Sequence, residues 1–249
     1  MVLITKENTL AIVPALNEQD SIVDVLNKLQ ESGFQVLVVS DGSTDNTAAQ
    51  SREAGVAVLE LPMNLGVGGA LRAGFQHACS KGYEAVVQVD ADGQHPADEI
   101  VNLIAAANAS GAHMVVGSRF ISQDTTMLVG NSRRLVMRIL AWSASRSAHT
   151  SITDATSGFR LIRTPLLNQF AQSFAVNYLG DTYEALISAG RGGYKIVEIP
   201  AGLRSRQVGE SSASIAQSVR FTLKGIGIAV LRLHFPISSL QDVTMSGSK

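Results

Sequence analysis

Val86-Val87-Gln88-Val89-Asp90-Ala91-Asp92-Gly93-Gln94-His95-Pro96 is the stretch on which the reading of this chain turns. A short, valine-rich apolar run stops abruptly at two carboxylates one residue apart. Such a run reads as a strand buried on both faces, the kind found in parallel sheets. Side chains along a strand alternate with a period of two, so Asp90 and Asp92 project to the same side. They fall where the chain leaves the sheet, the place where open α/β sheets bind ligands. Two hard oxygen donors there suit Mg²⁺ or Mn²⁺ and, through the metal, a diphosphate. A plain polar turn explains the same residues, Asp-Gly being a common turn pair. The surrounding chain has to decide.

Working toward the N-terminus, Leu10-Ala11-Ile12-Val13 is an apolar run stopped by Pro14, followed by the loop Ala15-Leu16-Asn17-Glu18. Ile22, Val25, Leu26 and Leu29 then recur at helical spacing, with Gly33 placed to end that helix. Gln35–Ser40 is a second strand that runs into Asp41-Gly-Ser-Thr-Asp-Asn-Thr47, with Asp45 near the start of a helix reaching about Ala54. Val56–Leu59 is a third strand. The segment Asn64-Leu-Gly-Val-Gly-Gly-Ala70 is rich in glycine but does not meet the dinucleotide pattern, because Leu71 holds its last glycine position, and the Walker lysine is absent too. Glycines here serve a close approach of backbone to a flat base, or of a helix to the sheet.

Toward the C-terminus, Ala97–Ala109 is predicted helical and His113–Gly117 a further strand ending in Ser118-Arg119. This alternation predicts a doubly wound α/β sheet, mostly parallel, with helices on both faces. From Thr125 to Thr153 no acidic residue occurs, while Arg133, Arg134, Arg138 and Arg146 interleave with Leu135, Val136, Ile139, Leu140 and the single tryptophan, Trp142. A basic amphipathic helix carrying tryptophan suits a membrane interface, and an ordinary helix with a solvated basic face fits the pattern as well. Asp154–Gly158 is a loop into a strand, a helix begins near Pro165, and Tyr178–Glu184 opens another. Tyr194–Pro200 alternates as an edge strand would. A polar loop over 204–212, a helix from about Ser214 to Leu233 and a Ser/Gly/Lys tail complete the chain.

Composition narrows the classes. The 249 residues carry 20 Lys+Arg against 21 Asp+Glu, so no overall basic field favours nucleic acid. The single cysteine, Cys79, excludes an internal disulfide and a cysteine-based zinc site, and fits a reducing, cytoplasmic compartment. Its place in a helical pattern predicts a buried structural thiol. No signal-peptide core and no run of about 18 apolar residues is present, so no transmembrane helix is expected.

Polar strand ends at Asn17/Glu18, Asp41 and Asp90/Asp92 therefore line one sheet edge, with Arg119, Arg133, Arg134 and Arg206 on later loops opposite. A carboxylate-held metal facing guanidinium groups is a site for a ligand with several phosphates. Val13-Pro-Ala-Leu-Asn-Glu18, Asp41–Thr47, Asn64–Ala70 and Asp90-Ala-Asp-Gly-Gln94, in that order, resemble family 2 glycosyltransferases of the GT-A fold. Gly117-Ser-Arg119, Asp154-Ala-Thr-Ser-Gly-Phe-Arg160 and Arg206-Gln-Val-Gly-Glu-Ser211 resemble, more narrowly, the dolichol/polyprenyl-phosphate hexosyltransferase branch. The resemblance implies that Pro14, Ala15, Asn17, Glu18, Asp41 and Gly69 hold the nucleoside of a GDP- or UDP-hexose. It implies that Asp90, Asp92 and Gln94 carry Mg²⁺ or Mn²⁺ against the diphosphate. Arg119, Arg134 (or Arg133), Arg206 and Ser211 would grip the acceptor phosphate and the leaving group, with Asp92, Arg119, Arg134 and Arg206 as the catalytic set. His95 has no role in this reading. One departure stands out: Ser212 replaces the lysine that many lipid-phosphate members carry after the last Gly-x-Ser.

The expected division is a GT-A catalytic domain over 1–212, made of a nucleotide-binding half (1–117) and an acceptor-binding half (118–212), then an amphipathic helix and tail over 213–249. The expected reaction is inverting, metal-dependent transfer of a hexose to a polyprenyl phosphate by a protein peripheral on the cytoplasmic face of the membrane. The alternative is transfer to a hydroxyl of a lipid-linked or cell-surface glycan precursor, which must lose its proton during attack; Asp181, in Gly180-Asp-Thr-Tyr-Glu184, resembles the position where hydroxyl-directed relatives keep that base. A silent nucleotide-sugar binder is a third reading. A nucleotidyltransferase is disfavoured because no glycine-rich phosphate loop precedes the carboxylates.

Overall fold

The computed structural model describes residues 2–121, 131–174, 181–202 and 237–240, and the side chains of residues 131–137, 139 and 181 lie outside that description. Among the described residues seven strands form one sheet: β1 (Thr9–Ala15), β2 (Gln35–Ser40), β3 (Ala57–Glu60), β4 (Ala85–Gln88), β5 (Met114–Ser118), β6 (Arg160–Arg163) and β7 (Ile196–Pro200). Their spatial order is β3-β2-β1-β4-β6-β5-β7. The α-helices of the described residues that connect them are α1 (Ile22–Glu31), α2 (Thr47–Glu53), α3 (Val67–Ser80), α4 (Ile100–Ser110), α5 (Asn131–Ala148), α6 (Leu166–Ser173) and α7 (Asp181–Arg191). The expected mostly parallel sheet is found, with β7 on one edge as predicted and β3 on the other.

Strand alternation builds a core on each face. Leu10, Ile12, Leu37, Val39 and Val86 point to one side and meet α3, α5, α6 and α7 through Leu71, Phe75, Leu140, Phe170 and Leu186. Ala11, Val13, Val36, Val38 and Val87 point to the other and meet α1 and α4 through Ile22, Leu26, Leu29, Ile100 and Leu103. Each strand residue removed from water on either face contributes roughly 1.5–3 kcal/mol for a Val, Leu or Ile, so the sheet is secured from both sides. The predicted 97–109 helix begins as one turn of 3-10 helix (Ala97–Glu99) before α4, and Gly111 ends it in the left-handed region at φ 68°. Cys79 is half-buried, not fully buried as expected; its thiol donates to Asn168 Oδ1 at 3.3 Å, and burial pushes its pKa up.

β6 is the feature that positions the site. It runs antiparallel to both neighbours, pairing Arg160 with Gln88 of β4 and with Val116 of β5. The carboxyl ends of β4 and β5 therefore lie beside the amino end of β6, and the loop that precedes β6 sits over the same sheet edge as the loops that follow β1, β2, β4 and β5. α5 delivers the chain to that loop. Ser145 on α5 accepts from Ile152 N at 2.9 Å and donates to Ile152 O at 3.1 Å, and buried Ser143 bonds Tyr183 of α7. The helix expected over 214–233 lies outside the described residues.

Candidate active site

Two loops on the β1–β2 side of the edge are fastened to each other. Asn17 adopts φ 55°, a conformation asparagine tolerates better than most residues. Its Oδ1 accepts from Thr44 N at 2.8 Å, and its own N–H donates to Ser43 Oγ at 3.2 Å. Glu18 N donates to Thr47 Oγ1 at 2.8 Å, and Gln19 N to Asp45 Oδ2 at 3.2 Å. Burial would raise the Asp45 pKa, but the bonds it accepts from Thr47 and Gln19 outweigh that and lower it. Asn17 thus serves as a clasp between loops. Asp41 is buried, and its Oδ1 accepts from Leu65 N at 2.7 Å. That bond ties the end of β2 to the glycine segment, while burial raises the Asp41 pKa against the pull of the Leu65 and Gly66 amides. Gly42, at φ 71°, permits the approach: a Cβ there would lie 2.7 Å from Asn64 N. Gly69 is buried in the first turns of α3, Ala15 ends β1 and Pro14 pairs with Val39. Among the expected nucleoside contacts, these all share one edge.

Beyond β4, Val89 still bonds Ile12 O at 3.0 Å, and the alternation continues: Val89 and Ala91 are buried, Asp90 and Asp92 are not. The two carboxylates are held differently. Asp92 accepts from Gln94 N at 3.0 Å and from Gln94 Nε2 at 2.6 Å, across Gly93 at φ 76°. Gln94, read from the sequence as a third ligand, here donates both of its groups to Asp92. Asp90 is surrounded by other parts of the chain. Gln88 Nε2 donates to its Oδ1 at 3.5 Å, and its main-chain N–H donates to His95 Nδ1 at 2.9 Å. His95 Nε2 lies 3.5 Å from Asp90 Oδ2. His95 is therefore part of this site, and the sequence reading missed it.

The far wall is one interlocked unit. Arg119 forks onto Asp154, with Nε donating to Oδ2 at 2.7 Å and Nη2 to Oδ1 at 2.9 Å, while Nη2 also donates to Thr156 Oγ1 at 3.1 Å. Hydrogen bonding to Asp154 raises the Arg119 pKa, with a further contribution from the charge of Asp90. Burial would raise the Asp154 pKa, and the Arg119 bonds and charge override it and hold it below the usual carboxylate range. Glu198 of β7 clamps the same loop, accepting from Thr153 N and Asp154 N at 2.7 Å each. Buried Arg160 donates to Ser157 O at 2.8 Å, Ala155 O at 3.0 Å and Thr182 O at 2.5 Å, joining the loop to the start of α7. Arg119, expected as a phosphate grip, thus has its fork on Asp154. Arg133 and Arg134 lie in the first turn of α5 and Asp181 opens α7, but their side chains are outside the described residues, as are Arg206 and Ser211 entirely.

The donor set at the β4 turn fits a hard cation. It offers carboxylate oxygens, and the Asp90 side chain keeps 40% of its surface open. Among the described residues no group of three or more His, Cys, Asp or Glu is assembled to enclose a metal. A part-open pair of carboxylates is what Mg²⁺ or Mn²⁺ uses when substrate phosphates and water complete its shell.

Residues 10–170 match glycosyl transferase family 2, and the chain belongs to that family; it is a glycosyltransferase. Among named relatives, it is 33% identical over 221 residues to a polyprenol monophosphomannose synthase of Mycolicibacterium smegmatis, covering 84% of this chain and 82% of the relative. It is 31% identical over 217 residues to an undecaprenyl-phosphate mannosyltransferase of Micrococcus luteus, covering 82% and 87%. These likenesses place it in the polyprenyl-phosphate glycosyltransferase branch of the family, as the motifs imply. Among solved structures, glucosyl-3-phosphoglycerate synthase from Mycobacterium tuberculosis, in complex with Mn²⁺, UDP-glucose and phosphoglyceric acid, superposes with a TM-score of 0.69 at 20% identity, covering 90% of this chain and 79% of that one. At that identity the likeness establishes the GT-A fold.

The Arg119–Asp154 pair has a measurable consequence. Removing one partner of a buried pair costs about 3–5 kcal/mol. The Arg119 side chain is 24% exposed, and solvent screening reduces the expectation to about 2–3 kcal/mol. Because the folded pKa of Asp154 is depressed, its contribution is full above the unfolded value of about 3.9 and is lost as pH falls through the folded pKa. Urea unfolding of Asp154→Asn should show that deficit unchanged from pH 7 to about 4, narrowing below. No deficit at pH 7, or one that widens toward acid, would contradict the pairing.

Proposed function

We propose that this glycosyltransferase moves a hexose from a GDP- or UDP-sugar to the phosphate of a polyprenyl carrier, with inversion at the anomeric carbon. The observation that carries the reading is the placement of Asp90 and Asp92 on the carboxyl edge, between the fastened 15–18, 41–47 and 64–69 loops and the Asp154–Gly158 wall. The first loops offer a cleft edge for a nucleoside, and the β4 turn is where its diphosphate meets Asp90 and Asp92, with Gln94 holding Asp92. A divalent cation bound there supplies positive charge against the developing diphosphate anion. The acceptor phosphate is already ionised near neutral pH, so its oxygen attacks without a base while the bond from the anomeric carbon to the diphosphate breaks. Arg133, Arg134 and Arg206, with Ser211, are our candidates for gripping the acceptor phosphate. Arg119 contributes through the wall it forms with Asp154 and through its charge near Asp90. Support for the acceptor comes from the two relatives above and from a dolichyl-phosphate N-acetylglucosaminyltransferase of Methanococcus voltae at 30% identity.

A hydroxyl acceptor is the second reading. Arg160 ties Thr182, next to Asp181, to the wall that adjoins Asp90, which puts the start of α7 beside the site and makes Asp181 its candidate base. Within either reading we assign 1–117 to the nucleotide, 118–212 to the acceptor, and 213–249 to a helix and tail that extend the acceptor side.

The membrane is the partner that a polyprenyl acceptor implies. Arg138, Trp142 and Arg146 fall one helical turn apart on α5, and all three are exposed, Trp142 at 66%. An indole between guanidinium groups suits the headgroup layer of an anionic bilayer, each basic group near the surface adding about 1 kcal/mol. No helix among the described residues is long and apolar enough to cross a membrane. We place the protein peripherally, on the cytoplasmic face.

One assay panel decides the acceptor: radiolabelled GDP- and UDP-hexoses with Mn²⁺ or Mg²⁺ against a short polyprenyl phosphate and a glycan acceptor. Chloroform-soluble product that depends on the polyprenyl phosphate is expected, with Asp92→Ala lowering turnover at least 100-fold; product with the glycan alone would remove the reading. The membrane assignment rests on Trp142, the only tryptophan. Its emission should shift to the blue with phosphatidylglycerol vesicles, less with phosphatidylcholine and less at high salt. Emission indifferent to anionic vesicles would contradict it.

A further inference from the structure

We infer that His95 and Gly158 are positioning residues that set the orientation of the Asp90 carboxylate for its divalent cation. The inference rests on the reading of Asp90 and Asp92 as the cation-bearing pair and adds the two residues that aim one of them.

His95 follows the turn, and its side chain is only 5% exposed. Its ring lies against Phe159, centroids 5.0 Å apart, and Phe159 packs into the space that Gly117 leaves open, since a Cβ there would stand 2.6 Å from Phe159 Cδ1. The imidazole is therefore held by packing before any polar contact is counted. Its Nδ1 accepts the main-chain N–H of Asp90 at 2.9 Å. A nitrogen that accepts carries no proton, so the ring proton sits on Nε2. That nitrogen lies 3.5 Å from Asp90 Oδ2, close enough for its charge to be felt but outside hydrogen-bond geometry. One ring thus addresses both the backbone and the carboxylate of the same aspartate.

Gly158 closes the other side. A Cβ added there would lie 3.1 Å from Gln88 Nε2 and 3.2 and 3.3 Å from the two Asp90 oxygens. The main chain of the β6 loop therefore runs beside the carboxylate, and a Cβ there would oblige the Asp90 or Gln88 side chain to shift by a few tenths of an ångström. Asp92 needs no such support, because its own turn and Gln94 hold it. The residues that orient a metal's carboxylate through hydrogen bonds and packing are commonly worth about 10–100-fold in metal affinity.

The test measures metal binding apart from turnover. Free Mn²⁺ is followed by electron paramagnetic resonance during titration of the full chain in the presence of UDP or GDP, for the wild type and for His95→Phe, His95→Asn and Gly158→Ala, with a thermal melt of each. Phenylalanine keeps the ring against Phe159 and lacks both nitrogens, so about 10–100-fold weaker Mn²⁺ binding is expected, with a similar loss for Gly158→Ala. Asparagine carries an oxygen close to the place of Nδ1 and is expected to recover part of the affinity. A folded His95→Phe or Gly158→Ala protein that binds Mn²⁺ as the wild type does would overturn the inference, and so would equal losses in His95→Phe and His95→Asn. If His95→Phe does not fold, Gly158→Ala and His95→Asn carry the same decision, since loss in the first and partial loss in the second are both required. Wild-type protein that binds no Mn²⁺ with either nucleotide would remove the metal reading itself, a different result from unaffected variants.

Discussion

An antiparallel strand set between two parallel ones is the constraint on which the site depends. β6 enters the sheet against the direction of β4 and β5, so its leading loop has to cross the carboxyl edge just where β4 releases Asp90 and Asp92. A parallel strand in the same slot would have carried that loop to the opposite edge. Because the direction is reversed, Gly158 meets the Asp90 carboxylate and Asp154 meets Arg119 at the end of β5. The polar network of the far wall follows from this geometry. Once Arg119 and Asp154 are buried together, the remaining oxygens and amides of the loop need partners, and Glu198, Thr156 and Arg160 supply them.

The two sides of the edge are built on different principles. On the β1–β2 side, main-chain groups and short polar side chains fasten neighbouring loops to one another. On the β5–β6 side, charge is concentrated and largely internally matched, Arg119 against Asp154 and Arg160 against carbonyl oxygens. Positive charge for a lipid phosphate then falls to arginines further along the chain, Arg133, Arg134 and Arg206 in our proposal. α5 links this side to the exposed Arg138–Trp142–Arg146 stripe, so the surface we assign to the membrane and the loop that borders Asp90 belong to one continuous piece of chain.

Much of the sheet and its polar edge was legible in the residues themselves. The near-continuous apolar runs Leu10–Val13, Gln35–Ser40 and Val86–Val89 marked strands buried on both faces, and their abrupt polar endings marked the shared edge. The direction of β6 was not legible. Arg160-Leu-Ile-Arg163 is a four-residue run whose pairing is decided by distant packing, and nothing in it separates parallel from antiparallel. His95 was passed over because a histidine after a turn carries no local sign of its tautomer or of the ring it packs on. Glu198 was not singled out within the alternating Tyr194–Pro200 run, and its clamp on Thr153 and Asp154 spans more than forty residues. Asn17 and Arg119 were read as ligand contacts by their type and place. Their partners, Thr44 and Asp154, lie 27 and 35 residues away, distances that periodicity does not reach. Motif order recovered the class of chemistry, while the division of labour within the site needed three-dimensional contacts.

The central claim is that the donor diphosphate docks on the Asp90–Asp92 turn, with its nucleoside toward the loops that follow β1 and β2. A crystal structure of the chain grown with Mn²⁺ and a nucleoside diphosphate tests it most directly. The account predicts a metal bonded to Asp90 and Asp92 oxygens and to the diphosphate, with the base lying along the 15–18 and 64–69 segments. A diphosphate bound elsewhere on the protein, with no metal on either carboxylate, would contradict it.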